Sequence, residues 1–301
     1  MKINITFLGT ASAIPTKTRN HTSILLNYKD ENILIDCGEA SQRQIRIAKI
    51  NPCSITRILI THFHGDHVFG LPGLFQTLGL NNYQKKLYIY GPKGIKEFID
   101  NIFKYFITTK KIEYEAIEAH DKFFENKDFE LHSIPLDHGC RCQGYIFKEK
   151  DKLRINKDKF KKLKIPNTPE ITKILKGKSI KINNKIIKPK DLLYKEKGKK
   201  ISFIFDTRMT ESIKKLAKDS DLSIIDSTFL SGSDKGEEKA FEYYHMTSEQ
   251  AGKIAKQNKV KELILTHFSQ RYEHKEKSIL DEAKKIFPNT RLAHDFMRIE
   301  V

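Results

Sequence analysis

Apolar side chains along this chain gather in short runs separated by longer stretches of helical spacing. Runs at 3–8, 23–27, 32–35, 57–60, 86–89, 130–134, 201–205, 222–225 and 262–265 are rich in Ile, Leu and Phe and too short for helices, so they predict strands. Between them, 40–50, 94–106, 212–218, 248–257 and 275–287 place apolar residues near every 3.6 positions and predict helices. Strands and helices interleaved in this way indicate an α/β protein.

The two halves of the pattern echo each other. Ile58-Leu59-Ile60-Thr61-His62-Phe63 resembles Leu263-Ile264-Leu265-Thr266-His267-Phe268, and the strands at 32–35 and 201–205 run into Asp36 and Asp206. Polar groups at the ends of matching strands suggest a duplicated scaffold with a site between its halves.

Residues 148–200 interrupt the rhythm. Ile180 to Ile187 read as a hairpin turning on Asn183-Asn184. The remainder is so rich in lysine that no core of its own is expected, and the segment reads as an arm inserted into one domain spanning 1–301. Charge sharpens this picture. The chain carries 55 Lys/Arg and 38 Asp/Glu, a net +17. The 148–200 segment has 20 basic and 6 acidic residues, net +14, which leaves only +3 on the other 248 residues. A positive field focused on one segment suits a polyanion such as nucleic acid, although a lysine run is also compatible with a solvated linker.

Composition narrows the class further. A hydrophobic content of 39% predicts a folded chain. No apolar run reaches the roughly 18 residues of a membrane span. The N-terminus alternates like a strand rather than a signal peptide, so a cytoplasmic protein is expected. Cys37, Cys53, Cys140 and Cys142 form no CxxC pair, and reduced thiols are expected.

The chemistry concentrates in Thr61-His62-Phe63-His64-Gly65-Asp66-His67, directly after a predicted strand. Imidazole nitrogen and carboxylate oxygen suit zinc, and Gly65 allows the tight turn that lets such groups converge. Three further candidates stand near the ends of apolar runs: His138, Asp206 and His267. Together they make seven ligand groups, enough for two ions with an open position. A thiolate ligand from Cys140-Arg141-Cys142 is conceivable, but the ligand set is full without it.

His62-x-His64-x-Asp66-His67 with His138, Asp206 and His267 resembles the ligand set of the metallo-β-lactamase superfamily. Within it, the chain resembles ribonuclease Z (tRNase Z). The stretch from Leu8-Gly9-Thr10 to Lys17-Thr18-Arg19-Asn20 is similar to that family's N-terminal motif. Gly70-Leu71-Pro72-Gly73-Leu74, Pro135-Leu136-Asp137-His138 and His267-Phe268-Ser269-Gln270-Arg271-Tyr272 also match. This resemblance implies a sandwich of two mixed sheets flanked by helices. It implies a zinc-dependent endoribonuclease that cuts the 3′ trailer from precursor tRNA, leaving a 3′-hydroxyl and a 5′-phosphate. It implies two Zn²⁺ per chain, one on His62, His64, His138 and Asp206, the other on Asp66, His67, Asp206 and His267, with Asp206 bridging. His245, in His245-Met246-Thr247, takes the place of the family's proton donor. Asp66 would accept the water proton, and Asp226 would orient His245. Lys17, Arg19, Asn20, Thr207 and Arg271 are expected at the substrate, the 148–200 arm is expected to grip the tRNA, and a homodimer is expected.

Three departures stand out. Phe205-Asp206-Thr207 replaces Gly-Asp-Thr, Asp226 stands where the family has Glu, and Pro166-Asn167-Thr168-Pro169 replaces Gly-Pro in the arm. Other readings are a metallo-β-lactamase-fold hydrolase of small phosphodiesters or lactones, or an RNA-binding protein that holds metal without catalysis. Neither small-substrate activity calls for a +14 arm, and the intact ligand set with His245 argues for catalysis.

Overall fold

The computed structural model describes residues 2–106, 112–162, 171–175, 177–182, 185–233 and 235–301. Among these, two seven-stranded sheets face each other. The first runs β1 (Asn4–Gly9), β2 (Ser23–Tyr28), β3 (Glu31–Ile35), β4 (Arg57–Leu59), β5 (Leu87–Gly91) and β6 (Tyr114–Glu118), with β18 (Arg298–Glu300) beside β1. The second runs β7 (Asp121–Glu125), β8 (Phe129–Asp137), β9 (Arg141–Glu149), β14 (Lys200–Ile204), β15 (Leu222–Asp226), β16 (Glu262–Thr266) and β17 (Thr290–Leu292). Both sheets are mixed. The segments β3 to β6 and β14 to β17 are parallel, and the rest is antiparallel.

Strand alternation decides which layer each side chain enters. In β2, Ile24 and Leu26 point between the sheets while Leu25 points outward. In β3, Ile33 and Ile35 point inward and Leu34 outward. In β16, Ile264 points inward, and Leu263 and Leu265 outward. The outward rows are covered by helices. Leu71–Leu80 and Ile95–Tyr105 cover the first sheet, and Glu211–Ala217, Ser248–Gln257 and Glu276–Ile286 cover the second. The result is four layers with three apolar interfaces.

The helix Leu71–Leu80 and the strand β9 were not expected from periodicity. Pro72 and Gly73 look like loop residues, but Pro72 lies in the first helical turn, where its missing N–H breaks no bond. Strand β9 opens with Arg141, Cys142, Gln143 and Gly144, polar or small residues that make no apolar run, although all but Arg141 are buried.

Strands β9 and β14 are antiparallel neighbours, with Ser202 opposite Ile146, and the lysine-rich segment leaves and returns between them. It contains β10 (Lys152–Ile155) paired with β13 (Leu193–Glu196), and β11 (Ile180–Ile182) paired with β12 (Lys185–Ile187). The Asn183-Asn184 turn and Pro166-Asn167-Thr168-Pro169 lie outside the described residues. One expectation is corrected here, because the segment does have a small core. Ile171, Ile174, Ile180, Ile187 and Leu192 are buried together, with Ile155, Phe160 and Leu193 packed against them. Isoleucines spaced between lysines converge from several short elements, while Lys157, Lys161, Lys178 and Lys188 stay exposed. Among the described residues no helix is long and apolar enough to cross a membrane.

Candidate functional site

Chain reversals at strand ends bring the polar groups together. Asp36 follows β3, Thr61 and His62 follow β4, Asp206 follows β14, Asp226 ends β15, and His267 follows β16. All five strands run parallel to a neighbour, so the site lies at the carboxyl ends of the parallel segments of both sheets. His138 occupies the turn between β8 and β9. Asp36, Asp206 and His267 have φ of 55°, 43° and 62°. Asp and His tolerate this left-handed region better than most side chains, and the sharp reversal aims each of them off its strand end. Phe205, where the family has Gly, is fully buried between the sheets, edge-on to Phe203. The left-handed residue is therefore Asp206 itself.

The donor atoms of His62, His64 and His138 lie within 4.8 Å of one another, as do those of Asp66, His67, Asp206 and His267. Asp206 stands between the two groups. Its Oδ2 is 3.6 Å from His62 Nε2, 3.5 Å from His138 Nε2 and 3.3 Å from His67 Nε2, and its Oδ1 is 3.1 Å from His267 Nε2. Asp66 Oδ2 is 3.3 Å from His67 Nε2 and 3.4 Å from His267 Nε2. His64 presents Nδ1, 3.1 Å from His138 Nε2. Ligands about 2.0 Å from a tetrahedral ion stand roughly 3.3 Å apart, and these separations bracket that value. Three of the buried atoms, His62 Nε2, His67 Nε2 and Asp206 Oδ1, have no hydrogen-bond partner. Buried polar atoms without partners are costly, and a bound cation would satisfy all three. The residues fit a metal centre.

Hydrogen bonds behind the cluster set the tautomers. His67 Nδ1 donates to Asp36 Oδ2 at 2.7 Å. Thr61 Oγ1 donates to the same Oδ2 at 2.8 Å and accepts from His62 Nδ1 at 3.0 Å. His138 Nδ1 donates to the Tyr244 carbonyl at 2.9 Å. Thr228 Oγ1 donates to Asp226 Oδ1 at 2.6 Å and accepts from His267 Nδ1 at 3.0 Å. Each of these imidazoles is held through Nδ1 and turns Nε2 to the centre, the arrangement metal-binding histidines use.

Electrostatics agree. Burial holds His62 well below the ordinary histidine range. At His267 burial opposes the charged form, but the Asp206, Asp226 and Asp66 carboxylates outweigh it and raise the group to about 10. Burial would raise Asp206, yet the charges of His267, His67 and His138 hold it well below the carboxylate range. The pocket concentrates negative charge in a place with little water, which favours a cation.

His245 sits beside this cluster, its ring centroid 5.0 Å from that of His138 and 5.4 Å from that of His267. Its Nδ1 donates to Asp226 Oδ2 at 2.9 Å, so the shorter acid reaches it. Burial would raise Asp226, but His245 and His267 outweigh it and the carboxyl is lowered to about 2. It is therefore an anionic anchor. The expected substrate residues are placed unevenly. Lys17 and Arg271 are exposed. Asn20 is half-buried, with its backbone N–H on Asp295 Oδ2 at 2.8 Å. Arg19 turns inward, where Nη1 donates to Thr10 Oγ1 and the Ala293 carbonyl, both at 2.8 Å. Thr207 is fully buried and accepts the Asp137 N–H at 3.2 Å. These two side chains brace loops rather than face solvent. Cys142 is buried and Cys140 exposed, and neither joins a metal-type group among the described residues.

Three residues gain roles that the sequence reading did not give them. Asp36, in the sequence only an echo of Asp206, anchors His67 from behind. Thr228 and Tyr244 hold His267 and His138. Their neighbours Asp226 and His245 were legible, but a hydroxyl or a carbonyl one or two positions away carries no signal of its own.

Comparisons with known proteins bear on this geometry. A family profile described as "Anti-Pycsar protein Apyc1" matches residues 3–134. Ribonuclease Z of Methanothermobacter thermautotrophicus is 40% identical over 302 residues, covering 99% of this chain and 97% of that protein. The crystal structure of human tRNase Z, short form, superposes with a TM-score of 0.70 at 28% identity, covering 98% of both chains. The metallo-β-lactamase fold protein YhfI of Bacillus subtilis superposes with a TM-score of 0.71 at 18% identity, covering 100% of this chain and 99% of that one.

Proposed function

Because the chain belongs to the ribonuclease Z family and is a tRNase Z endoribonuclease of the metallo-β-lactamase fold, we propose that it cuts the 3′ trailer from precursor tRNA using two zinc ions. The products are a 3′-hydroxyl on the tRNA and a 5′-phosphate on the trailer. The observation that carries this reading is the His245–Asp226 pair set against a seven-member imidazole and carboxylate cluster in a chain similar to ribonuclease Z over its full length.

Five imidazoles and two carboxylates without a thiolate suit zinc. His62, His64, His138 and Asp206 would hold one ion, and Asp66, His67, Asp206 and His267 the other. Bound there, the ions would supply Lewis acidity and a water activated at neutral pH. The chain's own groups do the rest. Asp66 accepts the proton of the attacking water. Asp226 fixes His245 by its Nδ1–H, which leaves Nε2 to protonate the departing 3′ oxygen, a poor leaving group otherwise. The exposed lysines of residues 148–200 bind phosphates of the tRNA body and so set its position without reading bases. A homodimer and cytoplasmic residence belong to the same proposal, and sedimentation of the purified chain checks the first.

The test is incubation of the metal-loaded protein with a precursor tRNA and with a nitrophenyl phosphodiester, each with and without chelator. The expected result is one cut at the 3′ side of the acceptor stem, with the stated end groups, abolished by chelation and restored by zinc. Hydrolysis of the small diester without any cut in the precursor would favour a small-phosphodiester hydrolase instead.

A further inference from the structure

One aromatic surface beside the cluster is used by nothing above. Tyr244, whose carbonyl holds His138, has φ 58°, unusual for a bulky side chain. This conformation lays its ring over Gly139, where an added Cβ would meet Tyr244 Cε2 at 3.1 Å. Arg208, two residues beyond Asp206, places its guanidinium carbon 4.2 Å from the Tyr244 ring centroid and 4.7 Å from that of Phe241. Asp137 pins this guanidinium, with Arg208 Nε donating to Oδ2 at 2.6 Å. At the outer end Phe241 is 66% exposed, with Met209 and Tyr243 also open to solvent.

Flat rings flanking a guanidinium, with the outermost ring open to solvent, are what unpaired nucleobases stack on, even where a carboxylate pairs with the guanidinium. A paired acceptor stem hides its base faces, so the bases able to use this surface are those freed on either side of the scissile phosphate. The surface is tied to that phosphate's site twice over, through the Tyr244 carbonyl on His138 and through Arg208 on the Asp206 turn. We propose that Phe241, Arg208 and Tyr244 form a stacking platform for the unpaired base adjoining the scissile phosphate. This rests on the precursor-tRNA reading above. Exposed aromatics also suit a second copy of this chain, but a pinned arginine over the rings and the link to the cluster favour nucleic acid.

The experiment is a double-mutant cycle on the zinc-loaded protein. Wild type, Phe241→Ala and Phe241→Tyr are each assayed for kcat/KM on an intact precursor and on precursors abasic at the last retained or first trailer nucleotide. Phe241→Ala is expected to lower kcat/KM on the intact precursor about tenfold, the stacking range, and Phe241→Tyr to restore it. Removing one of the two bases should lower wild-type kcat/KM by a similar factor and leave Phe241→Ala unaffected. Equal losses for wild type and Phe241→Ala at both abasic positions would overturn the platform. So would a Phe241→Ala change confined to concentration-dependent sedimentation, which would assign the surface to self-association. If wild type fails on the intact precursor, the function falls instead.

Discussion

The His/Asp cluster and the 148–200 arm differ first in how their charged groups are held. In the cluster His62, His67, Asp206 and His267 are at most 2% exposed, and each imidazole proton has a named acceptor. In the arm Lys157, Lys161, Lys178 and Lys188 stand in solvent around a core of a few isoleucines. Buried charges act at short range and must be placed to fractions of an ångström, so the surrounding fold over-determines them. Exposed charges act on a polyanion through a screened field and the release of counterions, which requires density and reach but not fixed geometry. On the proposed reading, one molecule keeps chemistry and grip apart: fixed geometry where the bond breaks, and diffuse charge where the tRNA body would be held.

The strongest way to break this contrast is Asp206→Ala. Losing a shared carboxylate should empty at least one of two metal positions and lower turnover on the order of 10³-fold or more, since Lewis-acid stabilisation amounts to several kcal/mol. Metal analysis of the purified variant checks it, and two retained ions would show that Asp206 is not shared. Next comes His245→Ala, expected to lower turnover by about 10²-fold or more, the general-acid range, with metal content and tRNA affinity little changed. Loss of zinc from that variant would make His245 a ligand rather than the proton donor. Asp36→Ala should act through His67 and weaken metal binding by about 10- to 100-fold, read by competition with a chelating dye. An unchanged affinity would reduce Asp36 to a folding element.

The arm should respond differently. Replacing its residues 153–195 by a short turn across the β10–β13 pair should raise KM for precursor tRNA by about tenfold or more and flatten the salt dependence of binding. Hydrolysis of a nitrophenyl diester should survive. Equal loss of both activities in a folded, zinc-loaded protein would show that the arm supports the site itself. The smallest effect on catalysis is expected from Ile174→Ala. Truncating a fully buried isoleucine costs about 2–5 kcal/mol, here spread over a local cluster. Amide exchange should quicken within the arm and not in β3, β4 or β14. Faster exchange in those strands too would mean that the two regions fold as one unit.

The sequence by itself determined a good deal. Short apolar runs such as Ile24-Leu25-Leu26, Ile33-Leu34-Ile35 and Leu263-Ile264-Leu265, interleaved with helical spacing, announced an α/β fold, because runs too short for a helix need no partner to be read as strands. The spacing of His62, His64, Asp66 and His67 declared a metal site, because four ligand-type groups on one tight turn have little other use. His138, Asp206 and His267 were legible at the ends of apolar runs, and His245 by its motif. Charge density located the arm, since summing lysines requires no geometry. Only the tertiary structure decided how these parts relate. The echo between Asp36 and Asp206 made them look equivalent, but packing of the two sheets sends Asp206 into the cluster and leaves Asp36 behind His67. Thr228, the Tyr244 carbonyl and the inward turn of Arg19 depend on segments distant in sequence meeting at one place. The arm's core was invisible for the same reason. Its isoleucines are sparse along the chain and become a cluster only where short strands and helices from both ends of the segment converge.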